Sequence, residues 1–412
     1  MTPSRKSGKS QPTAGRAPRW TVMVFMVAQN VDGESAALDN EAARDIAEME
    51  TALQSSSPHL NVFYQVHGAD TQERCHVGQP RVAVPPAQAD VTNGVALSAF
   101  ITWALTEADH QPEDYSLLVL WGHAYRFGIG HSRTARGIDA IDFHELSSVL
   151  RKCRDGFGPR DDSHRTARLD VLGFDACDLS TVEIAFQLRE FADFLLASQI
   201  GVPLPGWPYN KILGRLAEPK GRLMGPAELG SYAVRRYCQS YAATKRSVAL
   251  TLLDLRRADE LFGKTEWLAR ELAISVDGDD DELENISELF RRSQTAPGKP
   301  FVDVADLCLN LMLHAGSDEV KQAARRLGNF LVSPVSASPD DDDAVSTHPF
   351  VLENGRNAVT TARLQGVSLY APHVALETHD WLSACTWYEK LVIAEKTLWN
   401  EFVRALAQPS GL

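Results

Sequence analysis

The sequence predicts an α/β fold, a mostly parallel β-sheet flanked by helices on both faces, with a more helical C-terminal portion. Three observations predict it. Short continuous apolar runs of strand length recur through the first 255 residues. Amphipathic segments of helical length separate them, which is the alternation of βα units. From residue 256 onward helical spacing predominates, interrupted by one apolar strand.

The elements follow in order. Trp20 to Ala28 (WTVMVFMVA) is apolar throughout and suits a strand buried on both faces. Ala37, Leu38, Ala42, Ile46, Met49 and Leu53 recur at helical spacing, so 35–54 is a helix. Residues 60–66 form the second strand, 73–84 a short hairpin or edge excursion, 92–108 an amphipathic helix and 116–121 (SLLVLW) the third strand. A Gly- and Arg-rich loop is expected over 122–140, and a helix over 142–153. The polar loop 154–167 leads into the fourth strand, 169–175 (LDVLGFD). Helix 180–191, strand 193–199, helix 225–243 and strand 246–254 complete the alternating part. Helices are expected at 256–273, 280–292, 302–314, 317–329 and 388–407, with a strand at 366–371 and an exposed acidic loop at 337–348. The organisation predicted is a disordered basic tail (1–19), a core (20–255) and a helical portion packed on it (256–412).

Composition narrows the function. The chain has 412 residues, 44% hydrophobic and 23% charged, so it buries a core without staples and is neither fibrous nor largely disordered. Its 41 basic and 54 acidic residues leave a net charge of −13. That argues against broad nucleic-acid binding and leaves a cationic substrate open. Six cysteines are scattered without a C-x-x-C pair, which fits a reducing compartment better than a disulfide framework or a four-cysteine zinc site. No apolar run has the length of a membrane span, and the basic N-terminal stretch lacks the apolar segment of a signal peptide. A cytoplasmic protein with neither nucleic acid nor membrane among its partners is expected.

Two strands end in residues that carry chemistry. The third ends Trp121-Gly122-His123, the fourth Asp175-Ala176-Cys177. Active sites of open parallel sheets lie beyond the carboxyl ends of the strands. If these strands are neighbours, His123 is placed to activate Cys177 as a nucleophile. The N-terminus of helix 180–191 would then favour its thiolate. Taken singly, a cysteine after an apolar strand is more often a small buried hydrophobe, and a strand-end histidine more often structural. Their matched placement on successive strands is what raises the pair. Other motifs drop out. There is no G-x-S-x-G or H-E-x-x-H, and Gly8-Lys9-Ser10 lacks the first glycine of a phosphate loop and follows no strand. No glycine-rich loop follows the first strand, which weakens a nucleotide-binding reading. Asp340 to Asp343 reads as a solvated charge run, and the acidic stretch at Asp277 lacks the glycine position of an EF-hand.

These strand ends resemble those of the clostripain family of cysteine peptidases, in the clan of caspases, gingipains and legumains. The likeness runs through WTVMVFMVAQN, LVLWGH, LDVLGFDACDLSTVEIAFQLR, FLLASQ, GWPY, VDVADL and GVSLYAP to a C-terminal Trp-containing helix. The GFDAC block with its following helix is its most specific part. The resemblance implies a caspase-like fold and a cysteine endopeptidase whose dyad is His123, general base and acid, and Cys177, nucleophile. It implies an oxyanion site made by the amide of Cys177 and those near Gly122 and Ala124. It places Asp175 at the base of the pocket for the residue before the cut, where a carboxylate selects Arg or Lys. The other reading of Asp175 is a cap on the next helix. The resemblance further implies a latent precursor cut in the loops after the histidine strand, by itself or by an upstream protease. Arg133 and Arg136 are the candidate sites, and Arg154, Arg160, Arg165 and Arg168 lie in the next loop. Some relatives need calcium (Ca2+), although no cluster here gives a clear oxygen cage; no other cofactor or metal is implied. Some caspase-like relatives act in bacterial stress or antiviral cascades, which would be the biological setting by resemblance. Two departures stand out: Ala124 where glycine is usual, and Ser198-Gln199 where Ser-Glu is usual. They favour the rival reading, a catalytically inactive caspase-like interaction module. Retention of both dyad residues argues against it.

Overall fold

A computed structural model describes residues 17–29, 35–54, 57–69, 71–125, 127–134, 137–157, 167–297, 299–332, 349–357, 361–371 and 385–407. Most of the expected tail, the acidic run 337–348, and Arg136, Arg160 and Arg165 lie outside the described residues.

The strands are β1 (Trp20–Val27), β2 (Leu60–His67), β3 (Gln72–His76), β4 (Val82–Ala83), β5 (Tyr115–Gly122), β6 (Ala124–Tyr125), β7 (Gly128–Thr134), β8 (Gly137–Asp142), β9 (Leu169–Asp175), β10 (Ala192–Ala197), β11 (Val248–Asp254), β12 (Phe301–Asp303), β13 (Val351–Asn357) and β14 (Ser368–Tyr370). The helices are α1 (Ser35–Ala52), α2 (Val95–Glu107), α3 (Phe143–Cys153), α4 (Val182–Leu188), α5 (Tyr209–Ala217), α6 (Pro226–Ser240), α7 (Ala258–Ser275), α8 (Asp280–Arg292), α9 (Val304–His314), α10 (Asp318–Leu331), α11 (Cys385–Tyr388), α12 (Val392–Lys396) and α13 (Trp399–Ala407).

A nine-stranded sheet in the order β13-β11-β10-β9-β5-β1-β2-β3-β4 forms the centre. Its middle strands β10, β9, β5, β1 and β2 are mutually parallel, and β11, β13, β3 and β4 add antiparallel edges. The apolar run of β1 explains its central place, because both faces are covered. Met23, Phe25 and Val27 enter one core, while Trp20, Val22, Val24 and Met26 enter the other. That is the two-residue period of a strand, and each such side chain contributes ~1.5–3 kcal/mol on full burial. Leucines and alanines of α2, α3, α4 and α7 cover the first face; α1, α5 and α6 cover the second. Among the described residues no helix is long and apolar enough to cross a membrane.

Several elements depart from expectation. The stretch expected as a loop over 122–140 contains β6, β7 and β8, a separate three-stranded antiparallel sheet. Its glycines hide the strand pattern but are needed there. A Cβ on Gly128 would lie 2.8 Å from the Ile141 carbonyl oxygen. The expected helix 302–314 begins two residues late, because Phe301–Asp303 is β12, paired with β14, and the Asp303 side chain caps α9. The strand at 366–371 thus joins this small ribbon rather than the main sheet. Helix α5 and strand β13 were not expected, and the single helix expected over 388–407 is divided into α11, α12 and α13. Since β13 pairs with β11, the C-terminal portion supplies the central sheet with its edge strand.

Candidate active site

The two strands that end in chemistry are neighbours. β5 and β9 pair in parallel, with Trp121 opposite Asp175. His123 stands one residue past β5 and Cys177 two past β9, and both line one cleft with Gly122, Asp175, Val202, Pro203 and Leu204. Gly122 allows the chain to leave the sheet at this point. Its φ is +141°, and a Cβ there would lie 2.7 Å from the Val27 carbonyl oxygen. Only glycine tolerates both. The His123 carbonyl then accepts from the Gly130 amide at 3.0 Å, anchoring the histidine at the root of the β6–β7 hairpin.

The cysteine turn is held against the segment that follows β10. The Ser180 amide donates to Ser198 O at 2.9 Å and the Asp178 amide to Ile200 O at 3.2 Å. The Val202 amide donates to Cys177 Sγ at 3.2 Å. Burial pushes the Cys177 thiol up to about 11, Asp178 adds to the rise, and the Val202 backbone and Lys299 oppose it. The resting thiol is therefore protonated at neutral pH, and it could act as a nucleophile only with a base to remove its proton. This corrects the expectation of a helix-stabilised thiolate. Helix α4 starts at Val182, and its N-cap is Thr181, whose hydroxyl accepts from the Ile184 amide. Cys177 thus stands outside the first turn, where a helix dipole acts.

Asp175 is buried below the cleft. Its Oδ2 accepts from the Trp207 amide at 3.0 Å and the Tyr209 hydroxyl at 3.1 Å, while Oδ1 has no hydrogen-bond partner among the described residues. Burial pushes its carboxyl up to about 7, against those two donors and Arg44. The capping alternative falls away, because Thr181 is the cap of α4.

Sequence reasoning missed a second buried carboxylate. Asp45 of α1 accepts from Trp121 Nε1 at 2.9 Å and from Arg44 at 2.9 Å, and Arg44 also reaches the Pro205 carbonyl. Burial and the neighbouring Asp175 push Asp45 up to about 8. A signal was available: Leu38, Ala42, Asp45 and Met49 fall on one helical stripe, and a carboxylate in an apolar stripe needs a partner. Gln199, by contrast, turns away from the cleft. Its amide nitrogen donates to Asp303 and to Ser368, both at 2.9 Å, and its oxygen accepts from the Gly366 amide at 2.7 Å.

The other expected positions are spread around the site. Ala124 begins β6, opposite Ile129, and packs against the core; its φ is not positive, so alanine fits without strain. Glycine's freedom is needed at 122 instead. The Arg133 backbone lies in β7 opposite Ile138, and Arg136 lies outside the described residues. Arg154 and Arg168 reach Glu190 and Asp193. Among the described residues no three His, Cys, Asp or Glu side chains lie together as a metal site.

Residues 24–403 match the profile of the Clostripain family. The chain belongs to that family. It is a cysteine-type endopeptidase, a hydrolase. The fold agrees with solved members of the group. A secreted C11 cysteine protease from Bacteroides thetaiotaomicron, solved with an irreversible peptide inhibitor, aligns with a TM-score of 0.59 at 17% identity, over 94% of this chain and 99% of that one. An inactive zymogen C11 protease from Parabacteroides distasonis aligns at 0.58 and 15% identity, over 93% and 99%. No curated protein sequence matches the chain. The clostripain-family core thus accounts for the adjacent β5 and β9 strands and for the cleft at their carboxyl ends.

Proposed function

We propose that this clostripain-family peptidase cuts after Arg, and also Lys, with His123 and Cys177 as its dyad, and that it is made as a latent precursor. The observation that carries the specificity is the free Oδ1 of Asp175 in a cleft that also holds Cys177 and His123. A guanidinium entering that cleft gives the carboxylate a charge-assisted partner, and an acidic side chain would be repelled. His123 takes the thiol proton as Cys177 attacks the carbonyl carbon, then returns it to the leaving amine. Water hydrolyses the acyl-enzyme with His123 as base. The amides of Cys177, Gly122 and Ala124 receive the oxyanion.

Latency is supported by the size of the cleft. Its volume is about 40 Å3, room for roughly three waters at ~10–15 Å3 each, which is small beside an arginine side chain. The Parabacteroides distasonis relative was solved as an inactive zymogen. Among processing points, Arg133 is disfavoured because its backbone is laddered to β8, and a scissile segment has to be extended and unpaired. Arg136, and Arg160 and Arg165 in the next loop, are further basic positions for a cut by the enzyme itself or by an upstream protease; they lie outside the described residues.

The test is hydrolysis of fluorogenic peptides ending in Arg, Lys or Asp, with and without calcium, alongside intact mass. Arg cleavage lost in Cys177→Ala supports the reading. Cleavage after Asp would overturn the pocket, and one unbroken, fully active chain would overturn latency.

A further inference from the structure

We propose that Lys299 and Asp178 form a positioning pair that governs proton loss from Cys177, so that the C-terminal portion of the chain sets the reactivity of the nucleophile. The inference rests on the reading of Cys177 as nucleophile.

Asp178 directly follows Cys177 and holds a left-handed backbone conformation, φ +59°. Aspartate tolerates that region better than most side chains. Its carboxylate is largely buried, and Lys299 Nζ lies 3.5 Å from Oδ2. The carboxylate of this adjoining residue disfavours the thiolate by like-charge repulsion, and the lysine offsets it. Lys299 comes from the other side of the molecule in sequence, in the segment between α8 and β12. Two residues on, the Phe301 ring packs edge-on against Phe127 with centroids 5.9 Å apart. Phe127 lies in the hairpin that starts at His123. A single short segment therefore touches the cysteine turn through Lys299 and the histidine hairpin through Phe301. The segment is itself fixed: Pro300 O accepts from the Ala371 amide at 2.7 Å, and β12 pairs with β14. Among the described residues the titratable groups around Cys177 include His123, which lines the same cleft, Asp175 from β9, Asp178 from its own turn, Tyr237 from α6 and Lys299. Lys299 is the cation that the C-terminal portion brings to this set.

The experiment measures alkylation of Cys177 by iodoacetamide as a function of pH, located by peptide mass, on the full chain. The variants are Lys299→Met, Lys299→Gln, Lys299→Arg, Asp178→Asn and the Lys299→Met/Asp178→Asn double. Loss of the lysine charge should slow alkylation at pH 8 about three- to tenfold, the fall in thiolate fraction made by half to one pKa unit. Lys299→Arg should retain the wild-type rate, Asp178→Asn should speed alkylation, and the double variant should return towards the wild-type rate because the two charge effects are opposite in sign. Unchanged alkylation in both neutral lysine variants overturns the pair, as does an Asp178→Asn variant alkylated no faster than wild type. Alkylation needs no substrate, so it separates this inference from the function. Hydrolysis that persists in Cys177→Ala would sink the nucleophile reading instead.

Discussion

At the scale of one residue, Asp175 joins the fold to the proposed specificity. It is buried, its Oδ2 is held by Trp207 and Tyr209, and its free Oδ1 lies below the cleft. Burial leaves its carboxyl protonated below about 7, and only the ionised form pairs with a guanidinium. Burial and the neighbouring Asp175 also push the Asp45 carboxyl up. For an Arg peptide, KM should therefore fall as pH rises through neutrality, with kcat changing less. A flat KM between pH 6 and 8 would refute it. Asp175→Asn should cut kcat/KM for Arg peptides roughly 10- to 150-fold, the worth of a hydrogen bond to a charged group at ~1.5–3 kcal/mol. Cys177→Ala should remove at least ~10^3-fold of kcat, read in the same assay. Gly122→Ala tests the strand exit: its positive φ and the Val27 carbonyl should cost ~1–3 kcal/mol in urea denaturation.

At the scale of elements, Gln199 shows how a residue outside the cleft supports it. It joins the end of β10 to Asp303 at the start of α9 and to Gly366 and Ser368 before and within β14. Gln199→Ala strands the buried Gly366 amide and should lower stability by ~1–3 kcal/mol. Gln199→Glu brings a second carboxylate to Asp303, which burial already raises to about 6. One of the two must then keep a proton, so the deficit against wild type should widen from pH 5 to pH 8 as that proton is pulled away. Thermal melts across that range measure it. The same contrast explains what the sequence made legible. β1, β5, β9 and β11 are buried on both faces, so a continuous apolar run marks each of them, and the His123 and Cys177 strand ends could be read directly. β13 is an edge strand with the polar pattern VLENGRN, and β12 is three residues long. Neither carries a periodic signal. Asp45 and Lys299 reach the site from α1 and from the segment before β12, through contacts that depend on tertiary packing.

At the scale of the molecule, the central sheet is assembled from both ends of the chain. β13 comes from the last quarter of the sequence and closes on β11, while α7, α9, α10 and α13 share a core with β5 and β9. The β5–β9 pair, from Leu117 opposite Val171 to Trp121 opposite Asp175, is the seam between the first eight strands and the last six. A cut after Arg160 or Arg165 would fall in that seam's connection. The two pieces should migrate separately on a denaturing gel yet elute as one species in gel filtration, because parting them would expose the middle of the sheet. Separate elution without denaturant would show that the seam does not hold. The seam also divides the proposed dyad: His123 belongs to the first piece and Cys177 to the second. Two halves expressed as separate polypeptides would therefore form a natural complementation pair, each silent alone and competent only when the other is present. Peptide hydrolysis would then report their meeting.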